Sequence, residues 1–254
     1  MKYIDSHCHI SSENFDNDRE DYLKILHEKM DYILEVGTDI KTSEESFLLS
    51  QKSPIIYFSC GIHPTETENA AKDFEIHFDR FKKSDKLTAI GEIGLDFHWD
   101  TDRQKQYMFL DMQMNYAAEN KLPVIYHVRD AYDEIYEFFK NRTNILTESV
   151  IHCFSSDSEH AKKFLDMGFY LGFDGPITYP KNNDLRQALK YTPMNRILIE
   201  TDSPYLPPVP FRGKRNQPDY VEYIYKKICE VKETEESKLA YIHKENFETL
   251  FLKK

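Results

Sequence analysis

The chain has 254 residues, a formal net charge of −11 and a mean hydropathy of −0.65. Because nucleic-acid coats depend on clustered Lys and Arg, the acidic balance argues against a general DNA- or RNA-coating protein, although a local anion site remains compatible with it. No apolar run approaches the roughly 18 residues that a membrane helix needs. The four cysteines form no CxxC pair, and the first residues enter a strand-like run rather than a signal peptide. We therefore expect a reduced, soluble, cytoplasmic protein.

Short runs of β-branched and apolar residues predict eight strands along the chain. They cover 3–10, 31–38, 55–62, 87–95, 123–128, 149–154, 169–175 and 196–202. The intervening segments are polar, and their apolar residues recur every three or four positions, which predicts helices. The clearest of these segments are 19–30, 103–120 and 131–141. The pattern is therefore one strand followed by one helix, repeated.

Repeated strand–helix units predict parallel strands with right-handed crossovers, and eight such units in about 250 residues favour a closed (β/α)8 TIM barrel of the α/β class. An open doubly wound sheet is the alternative, but it usually carries a glycine-rich phosphate turn after its first strand, which this chain lacks. No linker, low-complexity tract or close repeat interrupts the pattern. We expect a single domain over residues 1–254.

Two histidines lie two residues apart in the first predicted strand, "YIDSHCHI". Because side chains alternate along a strand, His7 and His9 should share one face with Asp5, while Cys8 points to the other. Cys153, beside His152, should likewise face the helices as a small core residue. If the histidine face is the barrel interior, both imidazoles lie at the C-terminal mouth, where barrels of this kind carry their active sites. A metal site and a pair of hydrogen-bonded core histidines both explain the pair.

Other predicted strands end with the same types of residue, namely His63, Glu92, His127, His152 and Asp202. Buried imidazoles and carboxylates normally pair with one another or bind metals. Four histidines (His7, His9, His127 and His152) and two carboxylates exceed what one tetrahedral ion needs, and they suffice for two ions that share a ligand. Glu92 is the predicted bridge, since its two carboxylate oxygens can serve one ion each.

Further residues at this mouth are candidates for substrate binding. We expect His63 to contact a phosphate or the transition state, or to be a structural histidine. Arg129 could bind a phosphate through both of its guanidinium nitrogens or form a salt bridge to Asp130 or Asp133. A basic cluster in the loop after the last strand could line a nucleotide groove or be a solvated loop face; it comprises Arg212, Lys214 and Arg215.

Seven segments together resemble the TatD-like metal-dependent hydrolases, a deoxyribonuclease group within the amidohydrolase-type barrels. They are "DSHCH", "CGIHP", "GEIGLDFHW", "YHVRDA", "HCFSS", "ETDSPYLPP" and "RGKRNQP", in the family's order and spacing. The resemblance implies one metal held by His7, His9, Glu92 and Asp202, and another held by Glu92, His127 and His152. The chain departs from the family after "GLD", where it has Phe97, His98 and Trp99. Trp99 could stack on an unpaired base or cover the helix layer.

The resemblance implies a deoxyribonuclease, often a 3′ to 5′ exonuclease, that acts on single-stranded DNA or 3′ ends with two divalent ions. Mg²⁺, Mn²⁺ and Zn²⁺ are all candidates. We expect a hydroxide activated by both ions to attack the phosphodiester in line, with Asp202 orienting or deprotonating the water and with Glu92 and His63 as further catalytic residues. A hydrolase of a small amide, ester or lactone is the alternative. A catalytically silent scaffold would lack a ligand, and none is missing from the sequence.

Overall fold

Eight parallel strands form one sheet in chain order in the computed structural model, which describes residues 1–252. The strands are β1 Tyr3–Cys8, β2 Met30–Val36, β3 Ile56–Cys60, β4 Leu87–Asp96, β5 Val124–Arg129, β6 Ser149–Ile151, β7 Tyr170–Phe173 and β8 Ile197–Ile199. The chain beyond β8 closes the sheet against β1, because Asp202 N donates to His7 O at 2.9 Å and His9 N donates to Ser203 O at 2.7 Å. The predicted barrel and its eight strands are confirmed.

Helices follow the strands around the outside of the barrel. They are α1 Arg19–Lys29, α2 Ile40–Lys52, α3 Phe74–Phe81, α4 Arg103–Asn120, α5 Tyr132–Lys140, α6 Ser158–Asp166, α7 Asn183–Tyr191, α8 Val221–Lys232 and α9 Glu236–Phe247. Several begin at an aspartate whose side chain accepts from backbone N–H groups of the first turn, as at Asp102 and Asp157. Such caps satisfy donors that have no partner inside the helix and so define where it starts. The predicted segment 103–120 coincides with α4.

The apolar core has two parts. A large outer cluster lies between the strands and the helices and includes Cys8, which is expected to point away from His7 and His9. A smaller cluster contains one residue from most strands together with Phe247, Leu250 and Phe251 from the C-terminal end of the chain. Its strand residues precede the polar residues of the mouth in the sequence: Ile125 comes before His127, and Val150 before His152. The barrel interior is therefore apolar toward the N-terminal ends of the strands and polar toward their C-terminal ends.

Within residues 1–252, none of the helices has the length and apolar character required to cross a bilayer.

A buried histidine connects the last two helices to the barrel. His243 of α9 accepts a hydrogen bond from Ile199 N at 3.0 Å through Nε2, and its Nδ1 contacts the hydroxyl of Tyr225 in α8. Because Nε2 accepts, the neutral ring carries its proton on Nδ1. Burial lowers the pKa of His243 to about 3. The folded protein therefore keeps this imidazole neutral at pH values where the unfolded chain protonates it.

This difference makes the stability pH-dependent. Below the ordinary histidine pKa of about 6.5, the unfolded state binds a proton that the folded state excludes, so the free energy of unfolding falls as the pH decreases. His243→Gln keeps an acceptor and removes the titration. Between pH 7 and pH 5 the variant should lose about 2 kcal/mol less stability than the wild type. Urea unfolding at both pH values measures this, and an equal loss in both proteins would contradict it.

Candidate metal centre

The strand ends bring the predicted ligands together around one cavity. His7 is the next-to-last residue of β1, His9 follows that strand, and Glu92 lies within β4. His127 belongs to β5, His152 follows β6 directly, and Asp202 follows β8 by three residues. The cavity has a volume of about 760 Å³, and its wall includes His9, His63, Glu92, His127, His152 and Asp202. His7 lies fully buried behind them.

Glu92 lies between two groups of imidazoles. Its Oε1 is 2.8 Å from His127 Nδ1 and 2.6 Å from His152 Nε2. Its Oε2 is 3.5 Å from His7 Nε2 and 4.0 Å from His9 Nε2. The residue is only 4 % exposed, so water cannot fully screen its charge. The two oxygens thus face the two ligand groups that the family resemblance implies for separate ions.

Asp202 completes the group around the first two histidines. Its Oδ1 is 3.4 Å from His9 Nε2 and 3.8 Å from His7 Nε2, and these two nitrogens are 3.3 Å apart. The ring of His7 also stacks on that of His152 at a centroid distance of 4.0 Å. Ligand atoms of His7, His9 and Asp202 thus approach one another closely enough to hold a metal ion.

The electrostatics of the cavity reflect this crowding. Burial opposes ionisation of Glu92, but the imidazoles of His152, His63 and His127 hold its pKa well below the usual range. Burial also disfavours a charged His9, yet the carboxylates of Asp202 and Glu92 raise its pKa to about 9. The carboxylates therefore stay ionised and require positive charge next to them. Protons on the imidazoles or metal cations can supply it.

A second layer of groups orients the imidazoles. His9 Nδ1 donates to Val36 O at 2.8 Å, which leaves the lone pair of Nε2 free to bind a metal ion. His127 Nε2 lies 3.0 Å from Asp96 Oδ2, and its Nδ1 faces Glu92. Outer partners of this kind set the ring orientation and the basicity of metal-binding histidines. The donor atoms and their supports fit divalent cations.

Two carboxylates of this layer, Asp96 and Glu200, are not among the residues that the sequence predicts for the site. Both lie within segments that carry the family resemblance, "GLD" and "ETD". Glu200 is 1 % exposed, accepts from Cys153 N at 2.5 Å, and places Oε1 3.6 Å from His152 Nδ1. A single sequence does not reveal that these acids lie behind histidines, because that contact forms only when the strands are side by side.

His63 differs from the other histidines of the cavity. Its Nδ1 accepts from Thr65 N at 3.2 Å, so the neutral ring carries its proton on Nε2. That Nε2 is 3.7 Å from Glu92 Oε1. Burial and the neighbouring imidazole of His127 lower the pKa of His63 to about 3. His63 is thus arranged as a neutral hydrogen-bond donor that faces the cavity.

Two expectations about side-chain direction do not hold. The register of β1 against β2 shifts between Asp5 and Cys8, so strict alternation fails there. Asp5 accepts instead from Thr201 N at 2.9 Å and from His7 N at 3.3 Å. Cys153 lies beyond the end of β6, and its backbone is left-handed with φ 45°. It therefore lies on the cavity wall rather than facing the helices.

The basic residues are divided between the cavity and the outer surface. Arg129 lies on the cavity wall, with its guanidinium 5.8 Å from the centre of the Trp99 ring. Arg215 instead forms a two-point ion pair with Asp18 at 2.8 and 2.6 Å. The guanidinium carbon of Arg212 lies 4.4 Å from the ring centre of Tyr179. Lys214 Nζ lies 5.9 Å from the ring centre of Phe211. None of these three loop residues is part of the cavity wall.

A parallel barrel whose C-terminal mouth is lined by buried imidazoles and carboxylates defines a class of metal-dependent TIM-barrel hydrolases. The family model described as TatD related DNase matches residues 4–252. This chain belongs to the TatD family of metal-dependent hydrolases.

Known proteins similar to this chain support the assignment. It is 35 % identical to the uncharacterized metal-dependent hydrolase YabD of Bacillus subtilis, with 98 % of each chain covered. It is also 35 % identical to the uncharacterized metal-dependent hydrolase YcfH of Escherichia coli, with 99 % of this chain and 96 % of YcfH covered. The crystal structure of YjjV, a TatD homologue from Escherichia coli, superposes with a TM-score of 0.89 at 28 % identity, covering 99 % and 98 % of the two chains.

Asp96 offers a direct test of the second layer. Asp96→Asn removes the charge behind His127 and keeps an acceptor, so the affinity for a divalent ion should fall about 10- to 100-fold. Titration calorimetry of EDTA-treated protein with Mn²⁺ measures the change. Asp100→Asn, at an exposed position four residues further along the chain, is the matched control and should bind as the wild type does. Equal affinities in all three proteins would exclude a role for Asp96.

Proposed function

We propose that this protein is a two-metal deoxyribonuclease that removes nucleotides from the 3′ ends of single-stranded DNA. The observation that carries the proposal is the position of Glu92, whose two oxygens face different groups of imidazoles. A carboxylate with one oxygen toward each of two ligand groups is suited to bridge two cations. Two-metal centres serve hydrolysis of phosphodiesters in many nucleases, because they stabilise both the attacking and the leaving oxygen.

His7, His9, Glu92 and Asp202 would hold one ion, and Glu92, His127 and His152 the other. When bound, divalent cations lower the pKa of water and stabilise the negative charge that develops on the phosphate. Asp202 lies on the cavity wall. Burial opposes its ionisation, but the hydrogen bond with His9 and the imidazoles of His152 and His7 hold its pKa below the usual range. The carboxylate is therefore ionised, and it can orient the attacking water and accept its proton.

The substrate phosphate would be held by neutral and cationic donors. His63 presents its Nε2–H toward the cavity beside Glu92, where it can donate to a phosphate oxygen. Arg129 lies on the same wall and can bind the phosphate through its guanidinium. Because Glu92 is buried at the cavity floor, the reacting phosphate must enter the cavity, and a chain end or an unpaired strand enters more readily than a continuous duplex.

Exposed aromatic rings at the mouth support a nucleic-acid substrate. Trp99 and Tyr205 are each 55 % exposed, and both border the cavity. Large aromatic side chains on the protein surface offer flat faces on which unpaired bases stack. The side chain of Arg129 also lies against the Trp99 ring, which would place a base stacked on Trp99 close to a phosphate-binding cation. Polarity toward the 3′ end follows from the family resemblance.

A small-molecule ester, amide or lactone is the second candidate substrate, and one observation favours it. Among residues 1–252, Arg129 is the single lysine or arginine on the cavity wall. The three basic residues after β8 lie elsewhere, and Arg215 is already paired with Asp18. A wall with so few cations is also suited to a substrate of lower charge than DNA.

Hydrolysis of labelled oligonucleotides decides between the two candidates. EDTA-treated protein resupplied with Mg²⁺, Mn²⁺ or Zn²⁺ should release mononucleotides from the 3′ end of a single strand. Glu92→Ala should remain folded and lose this activity, because the shared ligand is gone. Absence of hydrolysis with every ion, in wild-type protein shown to bind two ions, would refute the nuclease proposal and favour the small-molecule substrates.

Trp99 permits a separate measurement of DNA binding, because it is the one tryptophan of the sequence. In the Glu92→Ala background, where no cleavage is expected, a single-stranded oligonucleotide should quench its fluorescence. Adding Trp99→Ala should weaken binding by about 1 to 3 kcal/mol, the usual contribution of one stacked base. Fluorescence anisotropy of a labelled oligonucleotide measures this loss. Tyr241→Ala, at a 66 % exposed position on α9, is the control and should bind unchanged; equal binding by all three would exclude stacking on Trp99.

A further inference from the structure

A second cluster of potential ligands lies beside the imidazoles. Cys153 lies on the cavity wall with its Sγ 3.2 Å from Oδ2 of the buried Asp174, and Asp202 lies next to both residues. One ligand atom from each of the three residues lies within 4.8 Å of the other two. Neither Cys153 nor Asp174 belongs to the centre described above, so they require a separate explanation.

One carboxylate oxygen of Asp174 has no hydrogen-bond partner. The residue is 1 % exposed, and its Oδ1 has no hydrogen-bond partner. It precedes the short helical turn Gly175–Thr178, yet its side chain does not cap that turn. A buried carboxylate oxygen without a partner is costly, and the nearby carboxylates of Glu200 and Asp202 increase the cost. An acceptor atom without a partner therefore lies buried on a carboxylate that adjoins a thiol and another carboxylate.

We propose that Cys153, Asp174 and Asp202 form a further cation site that takes a Zn²⁺-class ion rather than Mg²⁺. Thiolate sulfur binds borderline and soft ions such as Zn²⁺ and Co²⁺, whereas Mg²⁺ requires oxygen ligands. When the cation binds, Cys153 loses its thiol proton to solvent and Sγ becomes the ligand. The ion also gives the buried Asp174 carboxylate the positive partner that it lacks.

This site adjoins the two-metal centre through one residue. Asp202 Oδ1 lies 3.4 Å from His9 Nε2, and the same carboxylate borders Cys153 and Asp174. A carboxylate can bridge neighbouring ions, as is proposed for Glu92. The inference goes beyond the proposed nuclease function, because it concerns ion binding and does not depend on the substrate.

Cobalt is the probe, because thiolate ligation to Co²⁺ produces a charge-transfer band in the near ultraviolet that imidazole and carboxylate ligands do not produce. EDTA-treated wild-type protein titrated with Co²⁺ should develop this band. Cys153→Ser should lose the band and bind one Co²⁺ fewer than the wild type, however many ions the imidazole centre holds. Asp174→Asn should weaken the binding that produces the band at least about tenfold, the loss usual even for an outer partner of a metal ligand.

Cys229→Ser is the matched control, since Cys229 lies on α8 outside the cavity wall, and it should retain both the band and the full number of ions.

Alkylation of wild-type protein provides a measurement that needs no variant. Zn²⁺ should protect Cys153 from iodoacetamide, as detected by mass spectrometry of its peptide, and Mg²⁺ should not. Absence of the band in cobalt-saturated wild type, its persistence in Cys153→Ser, or equal alkylation with and without Zn²⁺ would each overturn the proposal.

Discussion

The charge of the buried Glu92 carboxylate is the constraint on which the rest of the mouth depends. Glu92 lies within β4 and is almost fully buried, so its charge must be balanced inside the barrel. Its two oxygens divide the imidazoles into two groups, His127 and His152 on one side and His7 and His9 on the other. Asp202, which follows β8, completes the group of His7 and His9. A ligand set assembled from five strands needs a closed barrel, because an open sheet would leave its first and last strands far apart.

Barrel closure therefore serves stability and ligand placement together. The hydrogen bonds that join the chain after β8 to β1 involve the backbones of His7, His9 and Asp202 themselves. The peptide groups that seal the last gap in the sheet thus belong to the residues that face the cavity. Toward the other end of the barrel, Phe247, Leu250 and Phe251 join the apolar interior cluster. This apolar part provides the hydrophobic stabilisation against which the polar mouth is held.

Breaks in regular strand geometry change which side chains reach the mouth. The register shift in β1 directs Asp5 toward Thr201 and leaves the two histidines together. The left-handed backbone at Cys153 places a thiol on the cavity wall next to Asp174. The register shift lies within β1, whereas Cys153 lies beyond the end of β6, where the sheet no longer dictates side-chain direction. Such positions commonly carry functional side chains in barrels, because they can be reoriented without loss of the ladder.

The sequence by itself determined the barrel, its eight strands, the helix 103–120 and the six candidate ligands that meet at the mouth, namely His7, His9, Glu92, His127, His152 and Asp202. It could do so because periodicity and strand-end position depend on local order along the chain, and because parallel strands place their C-terminal ends at one rim. Only the tertiary structure decided which oxygen of Glu92 faces which imidazole and that Asp96 and Glu200 lie behind histidines. It also decided that Cys153 faces the cavity and that Arg215 is paired with Asp18. These contacts join residues distant in sequence or depend on irregular backbone angles, and neither leaves a periodic signal in the chain.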